Sequence, residues 1–526
     1  MLRIPFRCSV SDTTFSSRFP AFFWQFFCPF GYCKLGYGID LIPQLSKVLF
    51  SASVITLLAQ VLGLLRQSLV VGFFGFSRGL DVYQTAYAIG AVTVFSLNVI
   101  TESILTSIFS KIREEHGESI LRQSMGWYLV VTLFVAIGSA VIFMTLFPLV
   151  SLLYAAGFSE RDAELLRSLS IDFLPLVVLG IPYFAVSAAV KCLWKFGWAF
   201  SAELVLMIGS IGFIYFEHER VGLIAVGYAF GYLVATLFLF SGLLAGGIGF
   251  VRNAQFNFRQ LLKRATQHYG ALQYASLTSV VERIWLSYVP SGGISGLGVS
   301  QQLIMGLSGV LSFRDAYLVP LAERSNREKR LRGLILMMAI LSSAVVAFLL
   351  PLAEDVIKVF FQYGKVTEAD VEMVANIFSI GLIGMLATAM ANPLWRFLQM
   401  EGNHRIFMVF YTFTLSSTFV FGWLLVRYLG YGVYGVASLA LLNSVVGCLF
   451  AFVAIRGTCN LFRLRWFFML LGIFVLLGTI GLASRYLSGM FFVPGFLRSL
   501  GAASVYVPVV VTLGVFLKKR YWHLIA

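Results

Sequence analysis

Apolar stretches long enough to cross a lipid bilayer recur along almost the whole chain, and they limit the fold more than any other feature. A hydrocarbon core of about 30 Å needs roughly 20 apolar residues in an α-helix. We place fourteen such spans near residues 48–73, 82–109, 125–153, 169–193, 197–216, 221–249, 267–289, 295–321, 332–353, 371–398, 406–426, 431–455, 466–484 and 499–517. The composition agrees, since only 12% of the residues are charged, about half the share in a soluble domain. The sequence predicts an all-α integral membrane protein.

Basic residues cluster on alternate loops of this arrangement. The segments KIREEHGESILR, ERSNREKRLR and RGTCNLFRLR fall on the side that also holds both termini. The longer acidic loops, including AEDVIKVFFQYGKVTEADVE, fall on the other side. By the positive-inside rule, both termini are cytoplasmic. The net charge of +15 therefore reflects topology and contact with anionic lipid headgroups, and we expect no nucleic-acid partner.

The loops are too short for an independent domain of about 50 residues or more, so function must lie in the membrane. We divide the chain into an N-terminal extension without an assigned role (1–45), a first six-span half (46–250), a cytoplasmic amphipathic linker (251–266), a second six-span half (267–456), and two last spans with a tail (457–526). The cysteines and histidines show no metal-binding spacing, and no phosphate-binding P-loop pattern occurs. We expect no catalytic centre, metal or cofactor.

A weak internal repeat supports the two halves. The segment LLYAAGFSERDAELL (152–166) resembles VFFQYGKVTEADVEMV (359–374), and each precedes a span that ends in a similar turn, CLWKFGWAF (192–200) or PLWRFLQMEGNHRIF (393–407). Six spans separate the two copies, so they have the same orientation in the membrane. This pattern indicates parallel repeats related by an axis along the membrane normal.

Ionisable residues inside spans are the candidate functional residues, because each costs about 2.5–3.5 kcal/mol at a helix centre. Arg66 lies within the first span, and we predict that Gln60, Gly63, Arg66 and Gln67 share one polar helix face. In the seventh span Glu282 and Arg283 are neighbours that point roughly 100° apart. We interpret these two as candidates for ion coupling.

Three segments resemble the MurJ/MviN lipid II flippase family. The segment LLAQVLGLLRQSLVVGFFGFSRGLDVYQTAYAI (57–89) looks like the family's first two spans, with their LG-x-x-R core and FG turn. The segment VFFQYGKVTEADVEMV resembles its loop between spans nine and ten, and LSGVL (307–311) matches its eighth span. The resemblance covers most of residues 45–520. It implies two six-helix lobes around a V-shaped, alternating-access cavity, with two further C-terminal helices.

The resemblance also carries over a set of cavity residues, with departures. Arg66, Asp81 and Glu102 match family positions. Several cavity arginines of the family are replaced, and Gln60 and Gln302 stand at two such charged positions. We predict that these five residues line the substrate cavity and that Arg66 contacts the diphosphate of the cargo.

The resemblance implies a flippase of the bacterial inner membrane for a polyprenyl-diphosphate-linked saccharide. The cargo is a surface-polysaccharide repeat unit or lipid II, and the missing arginines favour the repeat unit slightly. The alternatives are a drug/cation antiporter of the same superfamily, a membrane polysaccharide polymerase, and an interaction protein that does not transport. We expect a monomer that contacts membrane lipids and cell-envelope synthesis enzymes.

Overall fold

The computed structural model describes residues 41–90, 96–193, 195–244, 247, 249, 278, 280–311, 327–400, 404–456, 479–480, 483, 486, 502–504 and 506. The chain divides into two compact units, Met1–Lys47 and Val48–Ala526, and the sites below lie in the second unit. Outside the described residues are the segment 1–40, the predicted linker 251–266 and most of the last two predicted spans.

The described elements are helices, and no strand occurs among the described residues. They are α1 (Leu41–Phe74), α2 (Arg78–Gly90), α3 (Ser96–Tyr154), α4 (Glu160–Cys192), α5 (Phe196–Phe216), α6 (Leu223–Leu244), α7 (Gly293–Leu311), α8 (Arg327–Leu349), α9 (Ala353–Phe361), α10 (Glu368–Met400), α11 (His404–Gly422) and α12 (Gly432–Arg456). A π-helical turn, Trp423–Tyr428, extends α11, and residues 280–286 form a short helical segment before α7.

Eight of the described helices are long and apolar enough to cross a membrane, and the pair α8 and α9 would make a ninth as one bent span. Large apolar side chains on α3 stay exposed, such as Phe134 at 69% and Leu149 at 64%. In a membrane protein such side chains face lipid, which is as apolar as the side chains themselves. The prediction of an all-α membrane fold is confirmed.

Two predicted loops are wrong in detail. The predicted loop around KIREEHGESILR is helical on both sides of Gly117, whose φ of 84° is the break between two helices that otherwise run on as α3. The predicted loop after span nine contains α9, which meets α8 at a bend of 73°. Pro351 lies in that bend, and its ring and missing N–H prevent α8 from continuing.

The internal repeat is visible in the structure. Both α4 and α10 have 33 residues, and each begins with the same capping arrangement. The backbone N–H of Asp162 donates to the Ser159 hydroxyl, and that of Asp370 donates to the Thr367 hydroxyl, both at 3.3 Å. Each hydroxyl in turn donates to the carboxylate three residues ahead. This reciprocal cap fixes the start of a helix, so the two repeated segments start equivalent helices.

The helices form two halves. The first contains α1 to α6, and the second runs from residue 278 through α7 to α12. In the first half α4 packs against α3 and α6, and in the second half α10 packs against α7, α8 and α12. Near residues 72–81, 157–162, 287–295 and 360–367, which we call the closed end, one buried apolar cluster takes residues from both halves. Its members include Val71 and Phe147 of the first half and Val299 and Phe361 of the second.

Toward the opposite end, the described apolar residues form separate clusters. One contains Leu105, Met125 and Leu239 of the first half, and another contains Leu331 and Ile455 of the second. The two halves therefore share a core at the closed end, while each has its own core farther along the helices.

Candidate functional site

Asp81 joins the two halves at the closed end. Its carboxylate accepts hydrogen bonds from the Gly292 N–H at 2.7 Å, the Ser295 N–H at 2.8 Å and the Ser295 hydroxyl at 2.8 Å. The Asp81 side chain is fully buried. The first N–H groups of a helix have no partner within that helix, and a negative charge is favourable there. Asp81 of the first half thus caps α7 of the second half.

Arg78 makes a second connection across the closed end. Its Nε donates to Asp162 at 3.1 Å, and its Nη1 donates to the Val289 carbonyl of the second half at 3.2 Å. The guanidinium also lies 4.5 Å from the centre of the Phe158 ring. Because Ser159 orients the Asp162 carboxylate, the cap of α4 also positions Arg78 for its contact with the other half.

Neutral amide groups lie between the halves about midway along α1. Gln302 Nε2 donates to the Gly63 carbonyl at 3.4 Å. Gln60 is exposed, and its side-chain oxygen lies near Gly306 on α7. The predicted positions Gln60 and Gln302 therefore lie on facing helices, each beside a glycine of the other helix. Amides can donate and accept hydrogen bonds without a net charge, so this surface can bind neutral polar groups.

Arg66 points away from this amide surface. Only 5% of the residue is exposed, its guanidinium lies 3.8 Å above the centre of the Tyr228 ring on α6, and Nη1 contacts the Met207 sulfur on α5 at 3.3 Å. Its Nε is buried without a hydrogen-bond partner among the described residues. The predicted shared face is wrong for Arg66, since two steps of three residues turn a helix about 120° away from Gln60.

Glu102 is paired within the first half. Its carboxylate forms an ion pair with Lys191 of α4 and accepts a hydrogen bond from the Ser187 hydroxyl at 3.3 Å. The two charged side chains are 22% and 28% exposed. The structure thus gives Glu102 a cationic partner that the sequence analysis did not identify.

Glu282 and Arg283 lie on the helical segment 280–286, and both are half-buried. Arg283 Nη1 is buried without a hydrogen-bond partner in the described part of the chain. In the same half, the Ser417 hydroxyl donates to the side-chain oxygen Oδ1 of Asn443 at 2.9 Å, and the side-chain Nδ2 of Asn443 donates to the Thr418 hydroxyl at 3.0 Å. This cluster on α11 and α12 cannot be found from the sequence, because uncharged hydroxyls in apolar spans give no distinctive signal.

Among the residues that the structure describes, no group of three or more His, Cys, Asp or Glu side chains could hold a metal ion. Two sets of polar contacts lie where the halves meet. One set, around Asp81 and Arg78, joins the halves at the closed end. The other, around Gln60 and Gln302, lies between α1 and α7 farther along the helices, while Arg66 packs within the first half. This arrangement defines a polytopic transporter built from two repeated helical halves.

The family model described as lipid II flippase MurJ matches residues 70–504, and the chain belongs to this family. The probable lipid II flippase MurJ of Buchnera aphidicola subsp. Acyrthosiphon pisum (strain APS) is 25% identical over 372 residues, which cover 65% of this chain and 71% of that protein. The corresponding protein of Buchnera aphidicola subsp. Baizongia pistaciae (strain Bp) is 22% identical over 445 residues, or 79% and 83% of the two chains.

Solved structures show the same fold. One described as lipid II flippase MurJ in an inward closed conformation has a TM-score of 0.72 at 17% identity and covers 91% of this chain and 100% of that chain. An inward-facing multidrug resistance MATE family transporter of the MOP superfamily has a TM-score of 0.56 at 14% identity, with 77% and 98% covered. The family that the sequence motifs resembled is therefore confirmed.

Proposed function

We propose that this protein carries lipid II across the bacterial inner membrane by alternating access of its two halves. The family match over residues 70–504 is the single observation that carries this proposal. It also corrects the slight preference for a surface-polysaccharide repeat unit, since it supports lipid II more than that cargo. The loss of arginines at family positions would change how the cargo is held. This loss supports a different cargo less strongly than the family match supports lipid II.

The proposed cargo site uses the residues midway along the halves. Gln60 and Gln302, which lie on the facing surfaces of α1 and α7, would bind the saccharide and peptide groups. Arg66 would bind the diphosphate by leaving the Tyr228 ring, against which it now packs. A diphosphate offers a guanidinium two or more charge-assisted hydrogen bonds of about 1.5–3 kcal/mol each. Together these exceed the one cation–π contact, of about 2 kcal/mol for a buried guanidinium, that Arg66 would give up.

The proposed orientation places the closed end on the periplasmic side and both termini in the cytoplasm. The support is the charge pattern, because the basic loops lie on the side opposite the closed end. In this orientation the structure is an inward-facing state, sealed toward the periplasm by Asp81 and Arg78. The likeness to a MurJ described as inward closed supports the same assignment.

Glu282 is our proposed site for coupling transport to an ion gradient. Its carboxylate is half-buried beside Arg283, and carboxylates within membrane spans are typical of proton and cation pathways. Transport by rocking of the halves needs no covalent step, so we propose no enzymatic activity. We also propose that the protein acts as a monomer, with enzymes of cell-envelope synthesis as neighbours in the membrane.

Complementation tests the cargo. The gene is expressed in a bacterium depleted of its own lipid II flippase and, in parallel, in a strain that lacks a surface-polysaccharide flippase. We expect growth to be restored in the first strain and no polysaccharide export in the second. Export in the second strain without growth of the first would overturn the proposed cargo while leaving the transporter fold intact.

A further inference from the structure

The repeated segments make reciprocal contacts at the closed end. Gly157 of the first half donates its backbone N–H to the Ser287 hydroxyl at the end of the helical segment 280–286, at 3.0 Å. Gly364 of the second half packs on the backbone of Gly72 in α1, and the neighbouring Lys365 N–H donates to the Gly72 carbonyl at 3.0 Å. Each repeat thus contacts the first predicted span of the other half.

Both contacts depend on the absence of a side chain. A Cβ atom at Gly157 would lie 2.7 Å from the carbonyl carbon and oxygen of Ser287. A Cβ atom at Gly364 would overlap the carbonyl oxygen of Gly72. In both cases the opposing atoms belong to backbone, so no side chain can rotate away to make room. The two halves can approach this closely only with glycine at these positions.

The reciprocity has a mechanical consequence. When two repeated halves meet across a pseudo-twofold axis, corresponding segments make corresponding contacts, as in an isologous interface. A rotation of the halves that opens the closed end must break both contacts. The closed state then depends on the contact of Gly157 with Ser287 and the contact of Gly364 and Lys365 with Gly72, as well as on Asp81.

We propose that Gly157 and Gly364 are positioning residues of the transport cycle, which set the ratio of the closed to the open state at this end. This inference rests on the proposed alternating-access function. A methyl group at either position would act as a wedge between the halves. It would disfavour the closed state without altering any residue assigned to the cargo.

The chain offers a matched control for each wedge. A Cβ atom at Gly138 on α3 would have no heavy atom within 4 Å, so Gly138→Ala adds a methyl group without a contact. Gly364 has a φ of 65° and would be strained by any side chain. Gly430 has a φ of 71° and open space around it. Gly430→Ala therefore reproduces the strain at Gly364 without the wedge.

The test is a distance measurement between spin labels on the full-length protein in lipid nanodiscs, without cargo and with the native cysteines replaced. Labels at the exposed positions Arg161 and Ala369 report the closed end. Labels at Ser119 and Met408, also exposed, report the opposite end. In Gly157→Ala and Gly364→Ala we expect the open-to-closed ratio at the first pair to rise about tenfold or more, with a shorter distance at the second pair.

Wild-type distances in both wedge variants, as in the two controls, would overturn the proposal. A variant that unfolds gives broad distance distributions for both label pairs. In that case the variant Ser287→Ala tests the proposal. It removes the acceptor of the Gly157 N–H without adding an atom, so a smaller shift in the same direction is expected and no shift would overturn the proposal. Because no cargo is present, a failure of lipid II transport with the expected wedge shift would contradict the proposed cargo alone.

Discussion

Replacing Asp81 by Asn is expected to weaken the closed end while leaving its packing in place. The two carboxylate oxygens accept different hydrogen bonds. One accepts from the Gly292 N–H, and the other accepts both bonds from Ser295. An asparagine keeps one acceptor oxygen but turns an NH₂ group toward a second donor, the Gly292 N–H. A hydrogen bond to a charged group contributes about 1.5–3 kcal/mol, and a buried donor left without a partner adds to the loss. We therefore expect the closed state to lose about 2–4 kcal/mol, a factor of roughly 30–700.

Hydrogen exchange measures this loss at the atoms concerned. The amides of Gly292 and Ser295 are the donors, and opening of the closed end exposes them to solvent. In Asp81→Asn, the amide exchange rate of a peptide covering residues 290–297 should increase by up to roughly 30–700-fold. Local fluctuations that expose the same amides without opening of the closed end set the upper limit. Asp370→Asn is the matched control, because its carboxylate bonds to Thr367 within its own half. Unchanged exchange in a folded Asp81→Asn protein would refute the assignment of Asp81 as the cap that joins the halves.

Three other contacts give predictions of their own. Arg66→Met should weaken binding of lipid II about 10–100-fold, since charge-assisted hydrogen bonds to phosphate are lost, and Arg66→Lys should lose less affinity. Equal binding by the wild type and both variants, in a titration with purified lipid II, would contradict the proposed role. Lys191→Met and Glu102→Gln should each lower the thermal stability, and a double-mutant cycle should give a coupling of about 1 kcal/mol, as for other partly exposed ion pairs; strict additivity would argue against the pair. Arg78→Lys should cost about 1 kcal/mol in thermal unfolding, because one ammonium cannot reproduce the planar group that reaches Asp162 and Val289 together; a stability equal to that of the wild type would contradict this contact.

The fold could be predicted from the sequence because hydropathy and length are local properties. Twenty apolar residues in lipid must form a helix, so the spans can be found without knowing their neighbours. The repeat is visible because its capping residues, Ser159 with Asp162 and Thr367 with Asp370, are close together in the sequence. The helix α9 escapes prediction because nine residues within a partly charged loop give no membrane signal.

The site could be predicted less completely, because its geometry depends on contacts between distant segments. The sequence predicts Asp81 as a cavity residue, but the structure buries it fully as the cap of α7. Its partners lie 211 and 214 residues away, and nothing in the sequence points to Ser295. The orientation of Arg66 depends on its exact helical phase, which a list of polar positions cannot give. A glycine such as Gly157 can be recognised in the repeat. The sequence does not show why glycine is required there, which is that the backbone of Ser287 in the other half leaves no room for a side chain.

Movement of lipid II across a membrane of defined composition is the activity that the proposed function requires. The purified protein is reconstituted into vesicles that contain fluorescent lipid II, and a membrane-impermeant quencher reports how fast the label reaches the outer leaflet. We expect faster movement than in protein-free vesicles, with most of the acceleration lost in Arg66→Met and retained in Gly138→Ala. Suppose that the wild-type protein moves lipid II no faster than protein-free vesicles do, while the spin-labelled protein populates both the closed and the open state. That result would contradict the assignment of lipid II as the cargo.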